Sequence, residues 1–281
     1  MLYRVKVLLV FFSMTLENYH THTYRCKHAE GDIKDYIAEA LACNFTALGF
    51  SDHMPHPQNI WEGVRMGMGE LKGYCTEVRR QRQGLNNLKV FLGLECEYEE
   101  GFKDFYCETL FHEYQVEYLV CGMHWVHDGQ RLLYVGAELE TLAQLKAYVI
   151  SLAQAMESGL FSFIAHPDLF FGSFRSWNEN TKAASKEILL LAEQTQIPLE
   201  INCLGFRKEP IQTERGLRPP YPLDDFWEMA ASYRIRVVVN SDAHRPQDLS
   251  NLSQGLALVQ RYNLQLAQLD LKKIKPLAFN W

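Results

Sequence analysis

Short apolar runs that end in a polar or charged residue alternate along this chain with stretches of helical periodicity. Leu16 to Thr23 is the first run, and a helix is predicted near Asp35 to Cys43. Ala47 to His53 is the second, with its helix within 69–83, and Val90 to Glu95 is the third. Tyr118 to His124 is the fourth, before a helix near 139–157, and Phe161 to His166 is the fifth, before a helix near 181–195. Pro198 to Asn202 is the sixth, before a helix near 224–233, and Arg236 to His244 is the seventh. Strands alternating with helices imply parallel pairing through right-handed crossovers. Seven such units fit a closed or nearly closed β/α barrel, and a doubly wound open sheet is the rival. The endings favour the barrel. His53, Glu95, His124, His166 and His244 each close an apolar run. A barrel draws its active residues from the C-terminal ends of many strands, whereas an open sheet gathers ligands at its switch point.

The first run ends Asn18-Tyr19-His20-Thr21-His22-Thr23, with His28 soon after, and the last ends Ser241-Asp242-Ala243-His244. Side chains two apart on a strand point the same way, so His20 and His22 can share an ion, and Asp242 and His244 repeat the arrangement. Together with His28, His53, Glu95, His124 and His166 they make nine candidate ligands. Imidazole and carboxylate suit Zn, Mn or Fe. Nine donors exceed what one ion with an open position can use, and they suffice for three ions. Such clusters generate hydroxide near neutral pH and clamp phosphate oxygens during in-line displacement. Glu97 lies on the same face as Glu95, so spacing alone leaves either as the ligand.

With 47% hydrophobic and 22% charged residues, 281 residues can bury a large core without staples. A net charge of −6 argues against a non-specific nucleic-acid binder, so an anionic substrate must be attracted locally. Seven cysteines without a Cys-x-x-Cys pair form neither a disulfide framework nor a zinc ribbon, and reduced thiols point to the cytoplasm. Arg4 and Lys6 precede the apolar run Val7 to Phe12, which is short for a signal peptide and far too short to span a bilayer. Residues 1–13 read as an extension or a misassigned start, with the functional domain at 14–281; the alternative is an added strand across the barrel floor. Gly67-Met68-Gly69 and Gly73 fit a turn before a helix rather than a nucleotide loop, and no Gly-x-Ser-x-Gly elbow supports a serine hydrolase.

These motifs, joined by Ser51-Asp52-His53, Gly93-Leu94-Glu95, Gly122-Met123-His124 and His166-Pro167-Asp168, resemble those of the PHP (polymerase and histidinol phosphatase) superfamily. Glu200-Ile201-Asn202, Gly205-Phe206-Arg207-Lys208 and Tyr221-Pro222 are similar to its histidinol-phosphatase branch, and the resemblance covers roughly residues 16–250. It implies a single-domain distorted (β/α)7 barrel with three divalent ions (Zn, Mn or Fe). By that analogy His20, His22, Glu95 and Asp242 hold the first ion, a bridging Glu95 joins His124 and His166 on the second, and His28, His53 and His244 hold the third. Asp242 and His244 then serve different ions, so sharing a face need not mean sharing a metal. The order of the motif favours Glu95 over Glu97.

The implied activity is hydrolysis of L-histidinol phosphate to L-histidinol and phosphate in histidine biosynthesis. A hydroxide bridging two metals would attack phosphorus, with Glu95, Asp242 and His244 as the catalytic set. Arg207 is the expected phosphate grip and Arg175 a weaker second, since guanidinium matches phosphate bidentately. Arg207→Ala should then mainly raise KM. Glu97 or Asp168 could receive the substrate's amine. The expected partner is a small phosphate ester, with no nucleic acid and no membrane. A nuclease or nucleotide phosphatase on the same scaffold, and a non-catalytic metal-binding regulator, are the alternatives. Asp52 and Asp168 read as orienting partners of imidazoles or as loop residues, and His56, His112 and His127 as surface or loop histidines, with His127 close enough to His124 to touch substrate. Cys26, Cys96, Cys121 and Cys203 read as small packed residues.

Overall fold

The computed structural model describes residues 15–269, Gln130 excepted, together with Leu271. The reading of residues 1–13 lies outside the described residues. In chain order come β1 (Leu16–Asn18), α1 (Ile33–Ala42), β2 (Phe45–Phe50), α2 (Met68–Gln81), β3 (Lys89–Cys96) and β4 (Tyr118–Cys121). A hairpin of β5 (Trp125–His127) and β6 (Leu132–Tyr134) follows, then α3 (Leu142–Glu157), β7 (Phe163–Ile164), α4 (Glu179–Thr195) and β8 (Leu199–Asn202). A second hairpin, β9 (Ile211–Thr213) and β10 (Gly216–Arg218), leads to α5 (Asp224–Ala230), β11 (Arg236–Asn240), α6 (Ser253–Tyr262) and β12 (Gln265–Leu266). A π-helix, Phe105–Glu113, sits between β3 and β4.

The main sheet runs β1-β2-β3-β4-β7-β8-β11-β12, and every pairing in it is parallel. It curls until its first and seventh strands meet. Thr21 bridges Ala243, the His22 N–H donates to the Ala243 carbonyl at 2.9 Å, and the Tyr19 N–H donates to Asn240 Oδ1 at 2.7 Å. The start of β11 pairs instead with β12, through Arg236 and Val237. The ring therefore shuts at its C-terminal end, where the candidate ligands lie, and an eighth short strand flanks β11 at the other. All seven predicted strands are present; β12 and the two hairpins are additions.

Alternation explains the two cores. One face of each strand points into the barrel, where Tyr19, Ala47, Tyr118, Val120, Phe163, Ala165 and Val238 pack. The other face packs on the helices, against residues such as Leu48, Leu94, Leu119, Ile164 and Ile201. Tyr118 fills the interior, its hydroxyl donating to the Tyr19 carbonyl at 2.8 Å, and a Cβ at Gly93 would strike its ring. Helices α1, α3 and α4 start at side-chain caps, Asp32, Thr141 and Asn178. No helix among the described residues is long and apolar enough to cross a membrane.

Most apolar runs outlast their strands by two to five residues. β1 ends at Asn18 rather than Thr23, β4 at Cys121 rather than His124, and β11 at Asn240 rather than His244. Past the last ladder bond the backbone turns to aim ligands inward. His166 (φ 31°) and Asp242 (φ 46°) adopt the left-handed conformation there, a strained state that persists only where the surroundings enforce it.

Candidate metal centre

Glu95 stands at the middle of the closed end of the barrel. Its Oε2 lies 3.3 Å from His20 Nε2, 3.4 Å from His22 Nε2 and 3.0 Å from His53 Nδ1. Its Oε1 lies 3.0 Å from His166 Nε2 and 3.5 Å from His124 Nε2. Asp242 Oδ1 lies 3.2 Å from His22 Nε2, 3.6 Å from His20 Nε2 and 3.4 Å from His244 Nδ1. His28 completes the group, its ring 4.9 Å from that of His244 and 5.3 Å from that of His53. All nine predicted ligands thus converge, although they come from seven segments of chain. Gly122 makes room: a Cβ there would collide with the Glu95 carboxylate.

Two further carboxylates hold the imidazoles from behind. His20 Nδ1 donates to Glu200 Oε1 at 2.8 Å, and the His166 backbone N–H donates to Glu200 Oε2 at 3.0 Å. Asn202 Nδ2 bridges Glu200 Oε2 at 2.7 Å and Asp242 Oδ2 at 3.0 Å. His124 Nδ1 donates to Glu97 Oε1 at 3.0 Å, and Glu97 also takes both Nη atoms of Arg65, at 2.9 and 3.0 Å. Arg65 sits 4.6 Å from the Trp61 ring centroid, a cation–π arrangement. A carboxylate on Nδ1 fixes the tautomer and turns the Nε2 lone pair toward the centre.

The electrostatics suit cations. Burial drives the imidazoles of His22, His28 and His53 below their ordinary value, and burial with the neighbouring His22 takes His244 to about 4. Burial opposes ionisation of Glu95 and Asp242 too, yet His20 and the other imidazoles around them hold both carboxyls well below the usual range. Burial also opposes a charge on His20 and His124, but the carboxylates beside them, Asp242 for His20 and Glu95 for His124, raise both. The result is neutral nitrogen lone pairs on His22, His28, His53 and His244 beside two anionic carboxylates. His20 Nε2, His22 Nδ1 and Nε2, His53 Nδ1, Glu95 Oε2, His166 Nδ1 and Asp242 Oδ1 are buried without a hydrogen-bond partner. Orphaned buried donor atoms are costly unless something fills them, and divalent ions fit this set. Donor atoms of His20, His22 and Glu95 lie within 4.8 Å of one another, as do those of His53, Glu95 and His124, of His22, His53 and His244, and of Cys26, His28 and His244.

A cavity of about 370 Å³ opens over this cluster. Beyond the ligands it is lined by Val64, Arg65, Glu97, Trp125, Tyr134, Leu169, Leu204, Lys208 and Tyr221. Apart from Glu97, these residues carried no site role in the sequence, because loops after several strands bring them together.

Neither predicted arginine lines the cavity. Arg207 gives Nη1 to the Cys203 carbonyl at 3.0 Å, and Nη2 to the carbonyls of Ser241 at 2.9 Å and Asp242 at 3.3 Å. Its charge braces the turn that carries Asp242, and the cavity's exposed cation is its neighbour Lys208. Arg175 is exposed, with Nη1 3.4 Å from the Gln212 carbonyl. Glu97 lines the cavity but is saturated by Arg65 and His124, and Asp168 faces away to accept the Leu223 N–H at 2.7 Å and Trp227 Nε1 at 3.1 Å. Asp52 ties down Thr23, accepting its N–H at 2.8 Å and its hydroxyl at 2.7 Å, rather than orienting an imidazole. His56 is buried against Trp61 and Phe102, while His112 and His127 are exposed and outside the cavity lining. Cys26, Cys96, Cys121 and Cys203 are buried and free.

Fold and donors together define a class: a parallel α/β barrel that gathers imidazoles and carboxylates into a candidate metal centre at its strand ends. The sequence matches the PHP domain model over residues 18–203, and the chain belongs to that family. It is 29% identical over 235 residues to the "Probable histidinol-phosphatase" of Deinococcus radiodurans, covering 82% of this chain and 86% of that one. It is 23% identical over 259 residues to the histidinol-phosphatase of Bacillus subtilis, covering 82% and 94%. Its fold matches, with a TM-score of 0.64 at 15% identity, the histidinol phosphate phosphatase of Lactococcus lactis solved with Zn, L-histidinol and phosphate, over 92% of this chain and 98% of that one.

Proposed function

We propose that the protein is a metal-dependent phosphomonoesterase that hydrolyses L-histidinol phosphate to L-histidinol and phosphate. The observation that carries this reading is the convergence of nine ligand side chains, several with orphaned lone pairs, on the floor of an open cavity. The histidinol-phosphatases among its relatives support the substrate. His20, His22, Glu95 and Asp242 would hold one ion, Glu95 with His124 and His166 a second, and His28, His53 and His244 a third. Bound divalent ions would acidify water and offset phosphoryl charge. Free cysteines and the lack of a membrane-crossing helix among the described residues suit the cytoplasmic setting we assign.

The chain's own residues do the rest. Glu200 and Glu97 hold His20 and His124 in the ligating tautomer. Glu95, Asp242 and His244 keep the reacting phosphorus over the cluster by fixing where cations sit. Lys208, at the rim, draws in the phosphate dianion. Trp125, Tyr134, Leu169, Leu204 and Tyr221 form an apolar, aromatic wall that suits a flat imidazole ring. With Glu97 saturated and Glu95 and Asp242 ligating, the aromatic faces are what the described lining offers a substrate ammonium.

The test is kcat/KM for L-histidinol phosphate against nucleotides, sugar phosphates and a short single-stranded oligonucleotide. A preference of about a hundredfold or more, roughly 2.7 kcal/mol, is expected. Faster turnover of nucleotides or the oligonucleotide would keep the centre and discard the substrate.

A further inference from the structure

We propose that the hydroxyls of Tyr134 and Tyr221 form a proton-donating pair that delivers a proton to the oxygen of the leaving alcohol. The proposal rests on the phosphatase reading and supplies the general acid that reading lacks.

The cavity lining divides into two parts. Ligands rise from the strand ends, while the remaining residues come from loops and hairpins above them. In an in-line displacement the water enters on one side of phosphorus and the alcohol departs on the opposite side. A phosphoryl group seated on the ligands therefore turns its alcohol toward the loop residues. Among these, Arg65 spends both Nη atoms on Glu97 and the Met54 carbonyl. The Trp125 indole is too weak an acid to release its proton. Lys208 is exposed at the rim. Tyr134 and Tyr221 remain, and neither hydroxyl has a hydrogen-bond partner among the described residues.

Both rings are held in place. Tyr221 is 3% exposed, with its ring centroid 6.1 Å from that of His166. The end of the Tyr134 ring rests on Gly136, where a Cβ would strike it, and its ring centroid lies 5.4 Å from that of Trp125. Both residues line the cavity, where a substrate oxygen can take up a hydroxyl that no described residue occupies. Burial, then the charges of Asp242 and Glu95, push the Tyr134 phenol up to about 12, and burial with the nearby Tyr134 raises Tyr221 as well. Both phenols therefore keep their protons at neutral pH.

The step balances. A bond forms from the water oxygen to phosphorus, the bond from phosphorus to the alcohol oxygen breaks, and that oxygen takes the phenolic proton. The water leaves one of its protons on phosphate and releases the other to solvent, from which the phenolate recovers its own.

The test sets L-histidinol phosphate, whose alcohol leaves poorly, against p-nitrophenyl phosphate, whose phenolate leaves unaided. Metal-loaded wild type, Tyr134→Phe, Tyr221→Phe and the double variant are assayed for kcat with both esters. The double variant should lose about 100-fold or more on L-histidinol phosphate, with each single variant losing part of that. On p-nitrophenyl phosphate it should lose no more than about threefold, which also shows that the site is intact. Equal losses on both esters, or none on L-histidinol phosphate, overturn the proposal. A wild type that turns over neither ester overturns the phosphatase reading and the proposal together.

Discussion

Oε1 of Glu200 lies 2.8 Å from Nδ1 of His20. Its other oxygen accepts the backbone N–H of His166, so one buried carboxylate aligns ligands from two distant segments. Glu200→Gln would offer His20 an amide N–H, which favours the wrong tautomer. Metal affinity should fall about 10- to 100-fold, measured by competition with a chromophoric chelator. Unchanged affinity would reduce Glu200 to a packing residue.

Arg65 and Glu97 form the other support, with the two residues 2% and 4% exposed. Removing one partner of a buried pair strands the other charge. Arg65→Ala should lower the unfolding free energy by about 3–5 kcal/mol and weaken metal binding through His124, whereas Arg65→Lys should recover part of the stability. Urea unfolding of the metal-loaded proteins checks this. A loss below about 1 kcal/mol would show Glu97 to be compensated from elsewhere.

The metal-free protein should become more stable as pH rises from about 4 toward 6.5. His22, His28, His53 and His244 have lowered values, His244 near 4, so between those limits the unfolded chain binds protons that the folded chain refuses. Asp52 and Asp168, raised by burial to about 7, act the other way across that window, but they are two against four. His20 and His124 are raised, so their contribution is present below 6.5 and lost only above it. Denaturant unfolding of the chelated protein at several pH values gives the slope. A flat or falling slope below pH 6 would contradict the assignment of neutral imidazoles.

Arg207 and Lys208 are adjacent but should fail differently. Arg207→Ala releases the carbonyls of Ser241 and Asp242. It should cost metal occupancy and kcat, not chiefly KM. Lys208→Ala should raise KM for a phosphate ester about two- to fivefold and flatten its salt dependence, with metal content unchanged. The reverse pattern would restore Arg207 as the phosphate grip.

The barrel was legible in the sequence because each of its seven predicted strands announced itself locally, as an apolar run closing on a polar residue. The side chains that converge around Glu95 and Asp242 were legible for the same reason. Strand β12 was not, since two exposed residues, Gln265 and Leu266, carry no periodicity and pair only because β11 leaves an edge beside them. Arg65, Trp125, Tyr134 and Lys208 lie in loops and hairpins, and their convergence on one cavity depends on closure of the ring. Arg207 misled because a guanidinium suited to phosphate suits three backbone carbonyls equally well. Glu200 stood in a recognised segment, but its role depends on His20, 180 positions away.

The most direct measurement is phosphate release from L-histidinol phosphate by the protein as purified, after chelation, and after Zn, Mn or Fe is restored. Turnover that disappears on chelation, returns with a divalent ion and is absent from His20→Ala and Asp242→Ala is the predicted result. Turnover that survives complete removal of metal, or a metal-loaded protein that releases no phosphate, would contradict the account.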